Sequence, residues 1–335
     1  MHRLIFWTLT LAALGCAAGC ITDLLSRPAS FDSRPLTVLN ASLFNQRTAS
    51  RLVKRPWKGD WVLRRDRLEM VDRDLRTSQP DIVMFQESME RIGSGAESDS
   101  RILGVGSLSE YEWRQQQISE YGDTQEAESM VIAARPPLKF TLKTDGRGET
   151  WTMGSGGFLM TATLDFEGQP VIVFNVQMPP ANSGGYVWYT FVQERILAKM
   201  RKEQTCPKRL VVGGYLPGDE TNKRFAEFVK NLQLRDASAG FCQVAARCYT
   251  ATPINDLFMA TVGEEAPSRV DKIFVHVSAN IFSSGRFFEE SDATDHYIRE
   301  FGIGKLWATQ RFGWKTQLRM ARCSSSEIEQ YQQLP

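Results

Sequence analysis

Ile82-Val83-Met84-Phe85 is a continuous apolar run, followed at once by Gln86 and by an acid, Glu87. A carboxylate at the end of such a run is badly placed for stability: it must be ion-paired, hydrogen-bonded or bound to a cation. Arg269 is the best cationic partner the sequence offers, and without it Glu87 reads as a ligand-binding group. Three further acid–base residues, Asp271, Asp295 and His296, lie in or beside apolar stretches near the C-terminal end. A buried pairing of Asp271 with His296 would tie the last strands together with no chemistry at all. The loop Met178-Pro179-Pro180-Ala181-Asn182-Ser183-Gly184-Gly185 brings two more polar side chains, Asn182 and Ser183, though a plain surface loop accounts for them better. With three histidines, one of them His2, no Cys/His spacing suggests zinc.

The elements that must carry these groups follow from hydrophobic periodicity. Leu36-Thr37-Val38-Leu39 is β-rich, and 61–75 has helical spacing, with Trp61, Leu63, Leu68, Val71 and Leu75 on one broad face. Pro80-Asp81 breaks the chain before the strand that ends at Glu87, whose unbroken apolar character is that of a strand covered on both sides. Strands are expected at 129–134, 157–165, 171–176, 209–212 and 270–275, and helices at 187–200 and 221–232. Runs of strands interrupted by a few long helices predict two sheets packed face to face with helices outside. The segment from Gly304 onward, with its Ser324-Ser325-Ser326 and Gln-rich end, reads as a peripheral tail from 306 to 335.

At 335 residues, 42% hydrophobic, the chain suffices for one large sandwich domain, placed at 36–305. Forty basic residues against 39 acidic ones give no global field of the kind that gathers nucleic acid. The local run Arg47, Arg51, Lys54, Arg55 and Lys58 reads as a solvated face. Residues 1–20 form an export signal: His2 and Arg3, an apolar stretch too short to span a bilayer, then small residues before Cys16 and Cys20. Both cysteines sit in lipobox-like contexts, so a lipid anchor is expected at Cys20 or Cys16, with 21–35 as tether. Isoleucine after Cys20 resembles lipoproteins sent to the outer membrane of a Gram-negative cell envelope. Beyond the signal, Cys206, Cys242, Cys248 and Cys323 suit an oxidising compartment. Cys242 with Cys248 is the expected bridge; Cys206 and Cys323 pair by elimination or stay free.

Pro80-Asp81-Ile82-Val83-Met84-Phe85-Gln86-Glu87 resembles the strand of the endonuclease/exonuclease/phosphatase superfamily, the DNase-I-like enzymes, whose Glu binds a catalytic metal. Leu36 to Leu43 resembles the first strand of that family, and Val171 to Met178 the strand ending in Asn-Thr-His. Leu210 to Leu216 resembles the Gly-Asp-Phe-Asn strand, Arg269 to Val275 the Arg-Ile-Asp strand, and Thr294-Asp295-His296-Tyr297 the terminal Ser-Asp-His-Tyr. The resemblance implies a four-layer α/β/β/α sandwich of two mostly antiparallel sheets, and Mg2+- or Mn2+-dependent hydrolysis of phosphate esters or phosphodiesters. It assigns Glu87 and Asp295 to the metal, His296 to the phosphate and Asp271 to orienting His296. Asn175 falls at the Asn of Asn-Thr-His, a mainly structural position, and Gln177 at its His.

The departures point away from turnover. Ser42 stands where the first strand of the family presents Asn, and Gly214 and Leu216 stand at the Asp and Asn that orient the nucleophile and hold the phosphate. One missing preorganised donor costs about 2.7–4 kcal/mol of transition-state stabilisation. Asp219 or Glu220 would have to replace the lost carboxylate from beyond Pro217-Gly218. The expectation is therefore a tethered family-like protein with reduced or lost activity in a binding or scaffold role. The alternative is an active, rearranged hydrolase: a nuclease, or a sphingomyelinase-like phospholipase with Tyr186, Trp188, Tyr189 and Phe191 as membrane-facing aromatics.

Overall fold

The computed structural model describes residues 30–43, 64–91, 106–120, 126–141, 149–153, 157–179, 187–219, 221–242, 248–250, 270–289, 291–298, 303–307 and 312–333. For 64–67, 88–91, 116–120, 126–128, 291–298 and 303–307 the description covers the backbone alone. The signal, the tether up to residue 29, Arg269 and the basic run 47–58 lie outside the described residues. Contacts separate 1–31 from 32–335, and the fold below belongs to the second unit.

The strand β1 (Leu36–Ser42) lies parallel to β2 (Ile82–Arg91), which pairs antiparallel with β4 (Glu126–Ala134), itself antiparallel to β3 (Glu112–Glu120). On the other side of β1 run β15 (Gly313–Arg319) and β12 (Asn280–Phe287), completing a six-stranded sheet. The seven-stranded second sheet has the order β10 (Leu234–Asp236), β11 (Asp271–His276), β9 (Leu210–Tyr215), β8 (Gln169–Gln177), β7 (Gly157–Phe166) and β5 (Lys139–Phe140). Its remaining strand, β6 (Glu149–Met153), also pairs with β7. Each sheet has one parallel pair among its described strands, β1/β2 and β8/β9, so both are mostly antiparallel as expected. A separate hairpin joins β13 (Ser291–Ile298) to β14 (Ile303–Trp307).

Three apolar layers show why this sequence gives four structural layers. Ile82 and Met84 enter the cluster between the sheets with Val38, Val173, Val211 and Ile273. Val83 and Phe85 point the other way, against Met70, Val71 and Leu75 of α1 (Arg64–Ser78). Period-two alternation thus explains the uninterrupted apolar run: β2 is covered on both faces. On the outer face of the second sheet, Tyr189, Val192, Ile196 and Met200 of α2 (Trp188–Lys202) and Phe225 and Phe228 of α3 (Lys223–Asn231) cover Ile172, Phe174 and Val212. The spacing of the α2 residues is one helical stripe. α3 starts at Asn222, whose side chain accepts the Phe225 amide at 3.1 Å.

The C-terminal stretch is not a peripheral tail. β15 is inserted between β12 and β1, with Trp314, Thr316 and Leu318 buried. Only from Ser324 onward, in α4 (Ser325–Gln332), is the chain superficial, with no residue of that helix buried. A disulfide joins Cys206 to Cys323 across 117 residues, with Cα atoms 6.0 Å apart, and a second joins Cys242 to Cys248. Beside the first bridge, Arg209 is fully buried against Asp32 and donates to the Phe166 carbonyl at 3.0 Å. Ser33 and Arg34 donate backbone amides to Glu167 at 2.8 and 2.9 Å. This corner fastens the start of β1.

Candidate functional site

Glu87 lies where β2 stops being regular. Phe85 pairs with Val131 and Ser88 with Ser129, so Gln86 and Glu87 together face one residue of β4, and the backbone of Glu87 takes φ +53°. That is a β-bulge, the device that re-aims a side chain at the rim of a sheet. Glu87 as a whole is 8% exposed. Ser42, at the end of the neighbouring parallel strand, donates its hydroxyl to Oε2 at 2.6 Å. The family position filled by Ser42 therefore still meets the acid, through a hydroxyl instead of an amide. No ion pair among the described residues includes Glu87.

Behind the acid lies a chain of three side-chain amides, all fully buried between otherwise apolar sheets. Gln86 donates Nε2 to Asn40 Oδ1 at 2.9 Å and to Asn175 Oδ1 at 2.5 Å. Asn175, on the opposite sheet, donates Nδ2 to the carbonyls of Phe85 and Val131, both at 2.9 Å. Those carbonyls belong to the last regular pair before the bulge, so Asn175 ties the backbone of both strands there to the second sheet. Asn40 extends the chain to the Gly214 carbonyl at 3.4 Å.

The opposite wall is formed by the ends of β8, β9 and β11. Gln177, Tyr215 and Asp271 are level with one another across these three strands. Asp271 is fully buried, and its backbone amide donates to Thr250 Oγ1 at 3.2 Å. Asp295 and His296 belong to β13, whose side chains lie outside the described residues, so their relation to Asp271 and Glu87 is not described. The position level with Asp271 is Tyr215, whereas Gly214 is level with Lys272. Tyr215 is partly buried and packs against the helix-side core.

Gly214 has φ +141°, and a Cβ placed on it would lie 1.8 Å from the Val176 carbonyl oxygen. A side chain of any kind is excluded there without separating β8 from β9. Leu216 is fully buried in the helix-side core with Tyr189 and Phe225. Asp219 is exposed and occupied locally: the Thr221 amide and hydroxyl donate to Oδ1 at 2.9 and 2.5 Å. Those two donors hold its carboxyl below the ordinary value, as a turn-forming Asp. Glu220, Asn182 and Ser183 lie outside the described residues. Of the aromatics, Tyr189 is fully buried, packed edge to face on Phe225 at 5.4 Å and tilted on Phe228 at 5.2 Å, with its hydroxyl on the Pro217 carbonyl at 2.7 Å. Its place is the core. Trp188 and Phe191 pack edge to face at 5.7 Å and are partly buried, and Tyr186 lies outside the described residues.

Among the described residues no group of three or more His, Cys, Asp or Glu forms a metal cage. The remaining chemistry nonetheless suits a hard cation. A buried carboxylate lies beside a hydroxyl, and two buried acceptors, Gln86 Oε1 and Gln177 Oε1, have no hydrogen-bond partner among the described residues. One carboxylate, with water and ligand oxygens completing the shell, is the usual way a protein holds Mg2+.

No family model matches the sequence, and no curated protein resembles it closely enough to count as a match. The fold does match solved structures. An endonuclease/exonuclease/phosphatase family protein from Bacteroides thetaiotaomicron superposes with a TM-score of 0.58 at 16% identity, covering 86% of this chain and 98% of that one. A mannosyl-6-phosphatase from the same species gives 0.57 at 17% identity over 84% and 99%. The D. rerio TDP2 structure with a single-strand DNA product gives 0.51 at 15% identity over 86% and 99%. The chain therefore has the DNase-I-like sandwich fold of endonuclease/exonuclease/phosphatase proteins.

Proposed function

We propose that this protein is an exported, lipid-anchored relative of the phosphoesterases sharing its fold, which binds a phosphate ester through a cation held at Glu87 and turns it over slowly or not at all. The observation that carries this reading is the contrast between the two walls of the site. On β2 the acid is kept, bulged, hydrogen-bonded and aimed. On β9 the backbone at Gly214 has closed against Val176 and Leu216 has joined the core, so neither can orient a nucleophile. Losing one such donor costs about 2.7–4 kcal/mol of barrier, and losing the proton-accepting carboxylate removes a further 10²–10⁴ in rate.

When bound, Mg2+ or Mn2+ would neutralise phosphate oxygens and polarise phosphorus. The residues of the chain supply the rest. Glu87 holds the cation, Ser42 fixes one carboxylate oxygen, and Asp295 is the second ligand the family pattern assigns. The family pattern assigns His296 to the phosphate and Asp271 to orienting it, and Gln177 is the polar residue at the end of β8. The phosphatase and the DNA-bound relative motivate the ligand class, a phosphate monoester or diester, and the balanced net charge favours a small ligand over long nucleic acid. The lipobox-like cysteines and the two disulfides motivate export and an anchor at Cys20 or Cys16 on the cell envelope, the outer membrane being the expected one.

The test is Mn2+ titration of the purified protein with and without Glu87→Gln, beside hydrolysis of p-nitrophenyl phosphate and its bis-ester. Saturable binding lost in the variant, with turnover far below about 1 per second, supports the proposal. Enzyme-like turnover abolished by Glu87→Gln overturns the inactivity. Absence of Mn2+ binding in both forms overturns the cation site.

A further inference from the structure

We infer that Asn40, Gln86 and Asn175 form a positioning clamp, whose task is to hold the Glu87 carboxylate ready for its cation. The inference rests on the cation reading above and adds residues to it. A glutamate with φ +53° adopts a backbone conformation that L side chains rarely take unless their surroundings impose it. Here the surroundings can be named. Glu87 turns because the bulge puts two residues of β2 opposite one of β4. Phe85 and Val131 are the last regular pair before the bulge, and Asn175 reaches across from the other sheet to both of their carbonyls. Asn175 is held in turn by Gln86, the residue next to the acid, and Gln86 by Asn40. The Gln86 carbonyl also takes the Leu43 amide at 2.9 Å, locking the bulge to the end of β1 beside Ser42.

Packing does not call for this arrangement. The surrounding interface is built from Val38, Met84, Val173, Val211 and Ile273, and an apolar trio with a regular ladder would fill the same space. The three buried amides sit at the bulge, and the bulge is where Glu87 turns out of the regular strand. Asn175 is therefore more than the structural position its motif suggests. It links the acid to the second sheet, while Asn40, through the Gly214 carbonyl, links it to the wall that faces it.

Gln86→Met keeps the length of the side chain and removes both donor bonds. Binding of Mn2+ to the full-length protein, read from the free-Mn2+ electron paramagnetic resonance signal, should weaken about 10–100-fold, the effect typical of groups that orient a metal ligand. Asn40→Ala, which removes the bonds to Gln86 and Gly214 but keeps the Gln86–Asn175 bond, should weaken it less and serves if Gln86→Met does not fold. Thermal unfolding monitored in parallel separates the two roles. A clamp that is merely structural lowers the melting temperature and leaves Mn2+ affinity in the folded variants at the wild-type value, which overturns the inference alone. A wild type that binds no Mn2+ overturns the inference together with the cation site.

Discussion

If Glu87 is kept for a ligand, the fold should not depend on it, and the balance can be worked out from its surroundings. Its left-handed backbone costs roughly 1–2 kcal/mol for a residue with a Cβ and very little for glycine. Against this stands the Ser42 hydrogen bond at 2.6 Å, a bond to a charged group contributing about 1.5–3 kcal/mol. Glu87→Gly alone should therefore leave stability nearly unchanged, two terms of similar size cancelling. In a Ser42→Ala background the hydrogen bond is already gone and the nearly buried carboxylate has lost its donor. There Glu87→Gly should stabilise by about 1–2 kcal/mol, raising the melting temperature by about 2–3 °C. Differential scanning calorimetry of the four proteins in this cycle, without added metal, measures both numbers. If Glu87→Gly destabilises in the Ser42→Ala background, the acid is structural and the reasoning about a site kept at a cost to the fold is refuted.

Restoring the family carboxylate as Gly214→Asp should destabilise by about 3 kcal/mol or more in urea denaturation and return no hydrolysis, because its Cβ meets the Val176 carbonyl at 1.8 Å. Asp32→Ala leaves Arg209 fully buried without its carboxylate and should cost about 3–5 kcal/mol by the same measurement. His276, 5% exposed, receives the Ser278 amide on Nδ1 at 3.1 Å and so presents Nε2–H to Gln233 at 3.0 Å. Burial, with Lys208 nearby, pushes its pKa down from 6.5 to about 4. The unfolded chain then binds a proton that the folded one refuses, so stability falls as pH drops from about 6.5 towards 4 and levels off below. The loss is on the order of 3 kcal/mol, and His276→Gln should remove this part of the pH dependence of unfolding.

The acid itself was legible in the sequence, because a carboxylate closing an unbroken apolar strand violates a local rule that needs no tertiary knowledge. So were β1, β2, β7, β8, β9 and β11, whose alternation or continuous apolar character reports directly on how many faces are covered. Helix α2 was legible too, but its aromatics were ambiguous: a stripe that can face a membrane can equally face a sheet, and only the packing of Tyr189 on Phe225 and Phe228 decides. β15 was missed although Trp314, Thr316 and Leu318 alternate with Lys315, Gln317 and Arg319, since its partner β1 lies at the far end of the chain. The pairing of Cys206 with Cys323 was left open for the same reason.

What the sequence determined by itself was the order of strands and the acid that breaks their pattern, because both are written in short-range periodicity. What only the tertiary structure decided was the state of the site. Whether Asn175 reaches Phe85 and Val131, and whether the backbone at Gly214 leaves space for a carboxylate, depends on how two sheets distant in sequence meet. That meeting is set by the packing of both apolar faces at once, which no single segment encodes.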